Sequence, residues 1–205
     1  GARRLGEADG AWEQVWQRYR ENPADYPQIH DRLSMARPDA LFTDRNGAWP
    51  QDNEAAEDQL LARMLDLPTL TPDGARKELG SLETEHRARR SSVWAQLGEA
   101  PLASALEHLA EVARLTSTAS PDSSVSEIAA WYADSGWRAD RATIAALTEV
   151  TVKNDVAAVE SALTAVYRPW LHETATAMQT AIGPAANAGS YQAAAPPSVS
   201  EGEVV

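Results

Sequence analysis

The sequence predicts an all-α protein, a multi-helix bundle of about six to eight helices with a flexible C-terminal linker, and three observations carry that expectation. Ala and Leu supply most of the apolar content, with one Phe, five Tyr and seven Trp in 205 residues. Those two residues lead the helix scale, whereas strands favour Val, Ile, Thr and aromatics. Apolar positions recur at three- and four-residue spacing rather than alternating. Capping residues, prolines and glycines fall where such stripes begin and end.

The densest pattern lies between Arg89 and Leu115. Gly98 suits the left-handed residue that ends a helix, and Pro101 suits the first turn of the next. That next helix carries Leu102, Leu106, Leu109, Ala113 and Leu115 inward, leaving Glu107, Glu111 and Arg114 to water.

Upstream, Trp12, Val15, Trp16 and Tyr19 share one helical face, and Asn22-Pro23 stops that helix. The first residue, Gly1, is read as a tag boundary because no methionine precedes it. Residues 22–50 contain Pro23, Pro27, Pro38 and Pro50 with Asn46-Gly47, so only short turns such as Gln28 to Met35 are expected there, and Trp49 is expected at a core edge. Asp52 or Asn53 should cap a helix carrying Leu60, Leu61, Met64 and Leu65. Thr71-Pro72 should start a long helix that runs to Leu97, with Ala75, Leu79, Leu82, His86, Arg89 or Arg90, Val93 and Leu97 along its stripe.

Beyond the polar run STASPDS, Ser124 and Glu127 have capping-box spacing, and Val125, Ile128 and Trp131 or Tyr132 should pack. Gly136 is expected to end that helix and Asp140 to cap the next, which carries Ile144 and Leu147 inward. Asn154 or Asp155 opens the last helix, with Val156, Val159, Leu163, Val166, Trp170 and Ala177 inward, and Pro169 should kink it near Ala165 or Val166 unless it divides there. Residues 183–205, rich in Ala, Pro, Gly and Ser, read as a linker to a further domain. Val204 and Val205 read as a strand start. The organisation is thus a helical domain over 1–182, with 1–50 a looser subregion, and a linker over 183–205.

The formal charge is −12, from 18 Lys and Arg against 30 Asp and Glu, which opposes direct nucleic-acid binding. Cysteine is absent, which removes disulfides, thiolate metal sites and cysteine nucleophiles. No apolar run spans a bilayer and no signal peptide is visible, so no membrane partner and a cytoplasmic location are expected.

Glu83 and His86 have the Glu-x-x-His spacing of a di-iron bundle, but no second copy occurs. His30, His108 and His172 are scattered, and Thr176 stands where a zinc-hydrolase motif beginning at His172 would need histidine. Gly-x-Ser-x-Gly, phosphate-loop and dinucleotide motifs are absent. The expectation is no catalytic, cofactor-binding or metal-ligating residue in this chain. One basic cluster, Arg87, Arg89 and Arg90, is a candidate interaction patch, with structural pairing to Glu83 and Glu85 as the stronger alternative.

At RRSSVWAQLGEAPLASALEHLAEVARL (Arg89 to Leu115), AWYADSGWRAD (Ala130 to Asp140) and AVYRPWLHE (Ala165 to Glu173), the chain resembles the PglZ family of BREX phage-defence systems, and AWEQVWQRYR fits as well. The resemblance implies a cytoplasmic bacterial defence component. It also implies a metal-dependent domain similar to the alkaline phosphatase superfamily, expected downstream of SVSEGEVV and outside these residues. On that reading the chain is a non-catalytic helical scaffold whose partners are its own phosphatase-like domain or other BREX proteins. An independent helical adaptor and an acidic DNA-mimicking inhibitor are the alternatives.

Overall fold

The computed structural model describes residues 1–8, 10–37, 49–121 and 124–187, and among them every regular element is helical. The α-helices are α1 (Ala2–Glu7), α2 (Trp12–Glu21), α3 (Gln28–Ala36), α4 (Pro50–Asp66), α5 (Pro72–His86), α6 (Val93–Gln96), α7 (Pro101–Leu115), α8 (Val125–Trp131), α9 (Trp137–Thr148) and α10 (Lys153–Asn187). The all-α class holds. The count exceeds expectation because α1 and α6, of 6 and 4 residues, are too short to display an apolar stripe.

Several boundaries follow the local chemistry read from the sequence. Thr71 Oγ1 accepts the Gly74 N–H at 3.2 Å, with Pro72 at the first helical position of α5. Ser124 and Glu127 form the reciprocal capping box at the start of α8. Gly98 takes φ 76°, the left-handed conformation that turns the chain from α6 toward α7.

Helix α7 is the centre of the main core. Leu102, Ala105, Leu106, Leu109 and Val112 meet Leu60 and Met64 of α4, Leu79 and Leu82 of α5, Ala142 and Ala146 of α9, and Val159, Leu163 and Val166 of α10. Burial of this wide stripe, rather than helix propensity alone, holds α7 in place. A second core gathers Leu5, Trp16, Tyr19 and Leu33 from α1–α3 around Trp49 and the Val93-Trp94 pair of α6. Trp49 lies directly against Gly6, where an added Cβ would fall 2.4 Å from the indole, so glycine at that position lets ring and helix backbone touch. Val15, expected on the buried face of α2, is exposed.

Other expectations are corrected. Helix α4 starts at Pro50, after extended Trp49, so neither Asp52 nor Asn53 is its cap; Asn53 is instead buried within α4. The long helix expected from Thr71 to Leu97 breaks at His86 into a 3₁₀ turn over Arg87–Ser91, and Ser92 Oγ then accepts the Ala95 N–H to start α6. Serine hydroxyls compete with helical backbone bonding, and here Ser91 and Ser92 divide the run.

Gly136 does not end a helix. It has φ −59° and ψ −40°, inside a π-helical turn over Tyr132–Gly136 that joins α8 to α9. The Tyr132 ring packs against Gly136, where an added Cβ would lie 2.7 Å from Cδ2. Asp140 lies inside the first turn of α9 rather than capping it, and Ile144 points outward, 63% exposed, while Ala139, Ala142 and Ala146 face the core. Helix α10 is undivided at Pro169 and extends through Pro184 to Asn187, so the boundary drawn at Gly183 falls within a helix. Residues 188–205, with Val204 and Val205, and the expected Pro38 and Asn46-Gly47 breaks lie outside the described residues. No helix among those described is long and apolar enough to cross a membrane.

Candidate functional site

The three arginines of the basic cluster part company because the 3₁₀ turn rotates them to different sides. Arg87 is exposed and grips the Glu83 carboxylate through Nε at 3.0 Å and Nη2 at 2.6 Å. Arg90 Nη1 reaches the same carboxylate at 3.0 Å, and its Nε lies 3.6 Å from Glu107. The hydrogen bond from Arg87, helped by the charge of Arg90, holds the Glu83 carboxyl below its usual range. Arg89 turns inward.

This arrangement also decides the Glu83 and His86 pair. Glu83 is bonded to two guanidinium groups, and buried His86 faces Arg89, whose Nη1 is 3.2 Å from Nδ1. Because guanidinium can only donate, Nδ1 accepts and the imidazole proton sits on Nε2. Burial, then the Arg89 charge, pushes His86 below its ordinary pKa. Cations therefore stand where a metal ion would need anionic ligands. His30 approaches Glu99 at 3.4 Å and His108 approaches Glu149 at 3.7 Å. Among the described residues no group of three or more His, Asp or Glu is placed to hold a metal.

Arg89 belongs to a polar node where the two cores meet. Its Nη2 donates to Glu57 Oε1 at 2.8 Å, to Asn53 Oδ1 at 2.8 Å and to the Asn53 carbonyl at 3.2 Å. Glu57 Oε2 accepts the Leu102 N–H at 2.8 Å, and Oε1 also accepts the Ala103 N–H at 3.3 Å. The carboxylate thereby satisfies two of the orphan donors at the N-terminus of α7, where the helix dipole favours negative charge. Asn53 Nδ2 completes the node by donating to the Glu99 carbonyl at 2.7 Å. Burial raises the Glu57 carboxyl despite these donors. The node ties α4, the 3₁₀ turn and the α6–α7 bend together; its chemistry is structural, since every oxygen of Glu57 is already engaged.

A second concentration of chemistry surrounds the π turn. The Tyr132 and Tyr167 hydroxyls both donate to the Asp140 carboxylate, the latter at 2.6 Å. Burial, then the bond to Asp140, raises the Tyr167 phenol well above its usual range. Trp170 packs against Trp131 and Tyr167 with ring centroids 6.1 and 5.9 Å apart, and its Nε1 donates to the Thr118 carbonyl at 3.1 Å. Between them lies a cleft of about 110 Å³ lined by Leu115, Trp131, Ser135, Gly136, Ala139 and Trp170, with Arg114 at its edge. The sequence marked AWYADSGWRAD as a turn; the extra residue per turn that makes a π helix has no sequence signature.

Past Trp170, most residues of α10 are exposed or half-buried among the described residues, with Thr174 still buried. Leu171, Ala175, Met178 and Ile182 follow the four-three-four spacing of a single seam, and Leu171 and Ile182 are 42% and 40% exposed. No family model, curated protein or solved structure matches the chain.

Proposed function

We propose that this chain is a non-catalytic helical scaffold of a PglZ-like BREX defence protein, acting in the bacterial cytoplasm, and that the outer half of α10 docks the phosphatase-like domain implied by the family resemblance. The observation that carries this reading is the seam of Leu171, Ala175, Met178 and Ile182. It continues a 35-residue helix whose first half is gripped by α4, α5, α7 and α9. A row of apolar residues at coiled-coil spacing, half-covered on a rigid rod, is suited to meeting another protein surface. The ionisable clusters support a scaffold role as well. Glu57, Arg89 and Glu83 serve helix caps and ion pairs, and Asp140 anchors two tyrosines. Metal-dependent phosphatase chemistry would belong to the domain outside these residues, with other BREX proteins as further partners.

Hydrogen exchange on this chain and on a longer one that includes the next domain tests the reading. Amides from Leu171 to Ile182 should slow by about tenfold or more in the longer chain. Equal exchange in both would remove the proposed docking and leave an independent helical adaptor as the better description.

A further inference from the structure

Helix α9 inverts the usual placement of side chains. Its fully buried residues are Ala139, Ala142 and Ala146, which bring its backbone close to α7; Leu147 packs partly against the core, while Trp137 and Ile144 lie on the far side. Trp137, Arg141, Ile144 and Thr148 follow one another at four-three-four spacing, which places them in a row about 60° wide on the outer surface. Trp137 is 39% exposed and Ile144 63%.

The row also carries charge of the sign opposite to the net charge of the chain. The Arg141 guanidinium lies 5.9 Å from the centre of the Trp137 ring, while Arg138, turned about 100° from Trp137, lies outside the row, where its charge helps to lower the Glu111 carboxyl of α7. Neither makes an ion pair among the described residues, unlike Arg63, Arg87, Arg89 and Arg90. The acids around Arg141 are engaged elsewhere. Asp140 holds Tyr132 and Tyr167, Glu149 faces His108, and Glu111 is bonded to Arg114; Asp134, exposed, closes the row at its N-terminal end. In a chain of net charge −12, the outer face of α9 is a local basic and apolar strip.

We propose that this strip docks an acidic segment of a protein partner, a carboxylate beside an aromatic or aliphatic side chain. A carboxylate pairs with Arg141, and the apolar residue covers Trp137 and Ile144. Contact with the indole face restrains the Arg141 fork and leaves its N–H edges for a planar carboxylate. The partner is a peptide rather than a nucleic acid because the overall negative charge repels a phosphate backbone at range. This inference is independent of the role given to α10.

Selection of a random dodecapeptide library displayed on phage against the full chain provides the test. Enriched peptides should be rich in Asp and Glu next to an aromatic or aliphatic residue, and the best of them, made synthetically, should shift the α9 amides and the Trp137 indole signal in NMR spectra. Arg141→Glu should weaken that peptide by about tenfold or more, as should Ile144→Asp, while Arg87→Glu leaves its affinity unchanged. Both α9 variants alter exposed side chains, and circular dichroism confirms that they stay folded. The proposal is overturned if no peptide is enriched, if enriched peptides lack acids, if the α9 variants bind as tightly as the parent, or if a single-stranded oligothymidylate shifts the same amides more strongly.

Discussion

Arg89 Nη2 lies 2.8 Å from Glu57 Oε1, which also accepts the Ala103 N–H, and the other oxygen of that carboxylate accepts the Leu102 N–H at the start of α7. A side chain of α4 is therefore both the counter-ion of the 3₁₀ turn and the cap of the central helix. Removing one partner of this part-buried pair leaves the other charge and two N–H groups of α7 without it, so Glu57→Ala should cost about 1–3 kcal/mol in urea denaturation. Glu57→Leu combined with Arg89→Met should recover part of the loss, because both charges then disappear. Arg87→Ala, at an exposed pair, should leave the midpoint almost unchanged. A Glu57→Ala midpoint equal to that of Arg87→Ala would show that the node contributes nothing to stability.

The same substitution should have opposite signs at two glycines. At Gly6 an added methyl meets the Trp49 ring at 2.4 Å and forces the indole or α1 to move, so Gly6→Ala should destabilise by about 1–3 kcal/mol. At Gly80, exposed within α5, nothing lies within 4 Å, and Gly80→Ala should stabilise by about 0.5–1 kcal/mol through the lower entropy of the unfolded chain. Thermal unfolding of both variants checks the pair.

Burial and the neighbouring Arg89 lower the His86 pKa from 6.5, so the unfolded chain binds the proton more readily than the folded one. The sign follows: the contribution of neutral His86 is fully present above the unfolded pKa and is lost as pH falls below 6.5 toward the depressed folded value. Stability should therefore decline between pH 7 and about pH 5.5 more steeply in the parent than in His86→Gln, which cannot titrate. Parallel pH slopes of the urea midpoint in the two proteins would show that His86 does not carry this dependence.

Much of the fold was legible because its signals are local. The Thr71-Pro72 start, the Ser124 and Glu127 box and the Gly98 turn each depend on residues a few positions apart, and each appears as read. The α5 stripe of Ala75, Leu79, Leu82 and His86 is buried throughout, because helical periodicity alone places those residues on one side. The candidate patch was less legible. Arg87, Arg89 and Arg90 are nearly consecutive, and only the 3₁₀ turn and the acids on α4 and α5 send Arg89 inward while Arg87 stays at the surface.

By itself, then, the sequence determined the helical class, the starts of α5, α7 and α8, the inward face of α5 and most of that of α7, because capping chemistry and the 3.6-residue repeat act within one element. Only the tertiary structure decided which face α9 buries. Ala139, Ala142 and Ala146 lose little conformational freedom on burial and allow close approach to α7, so the core took the alanines and left Ile144 in water, against the order of hydrophobicity. The tertiary structure likewise joined Glu57 to Arg89 and Leu102, partners separated by 32 and 45 residues. A buried charge finds its partner through space, and no spacing along the chain records that choice.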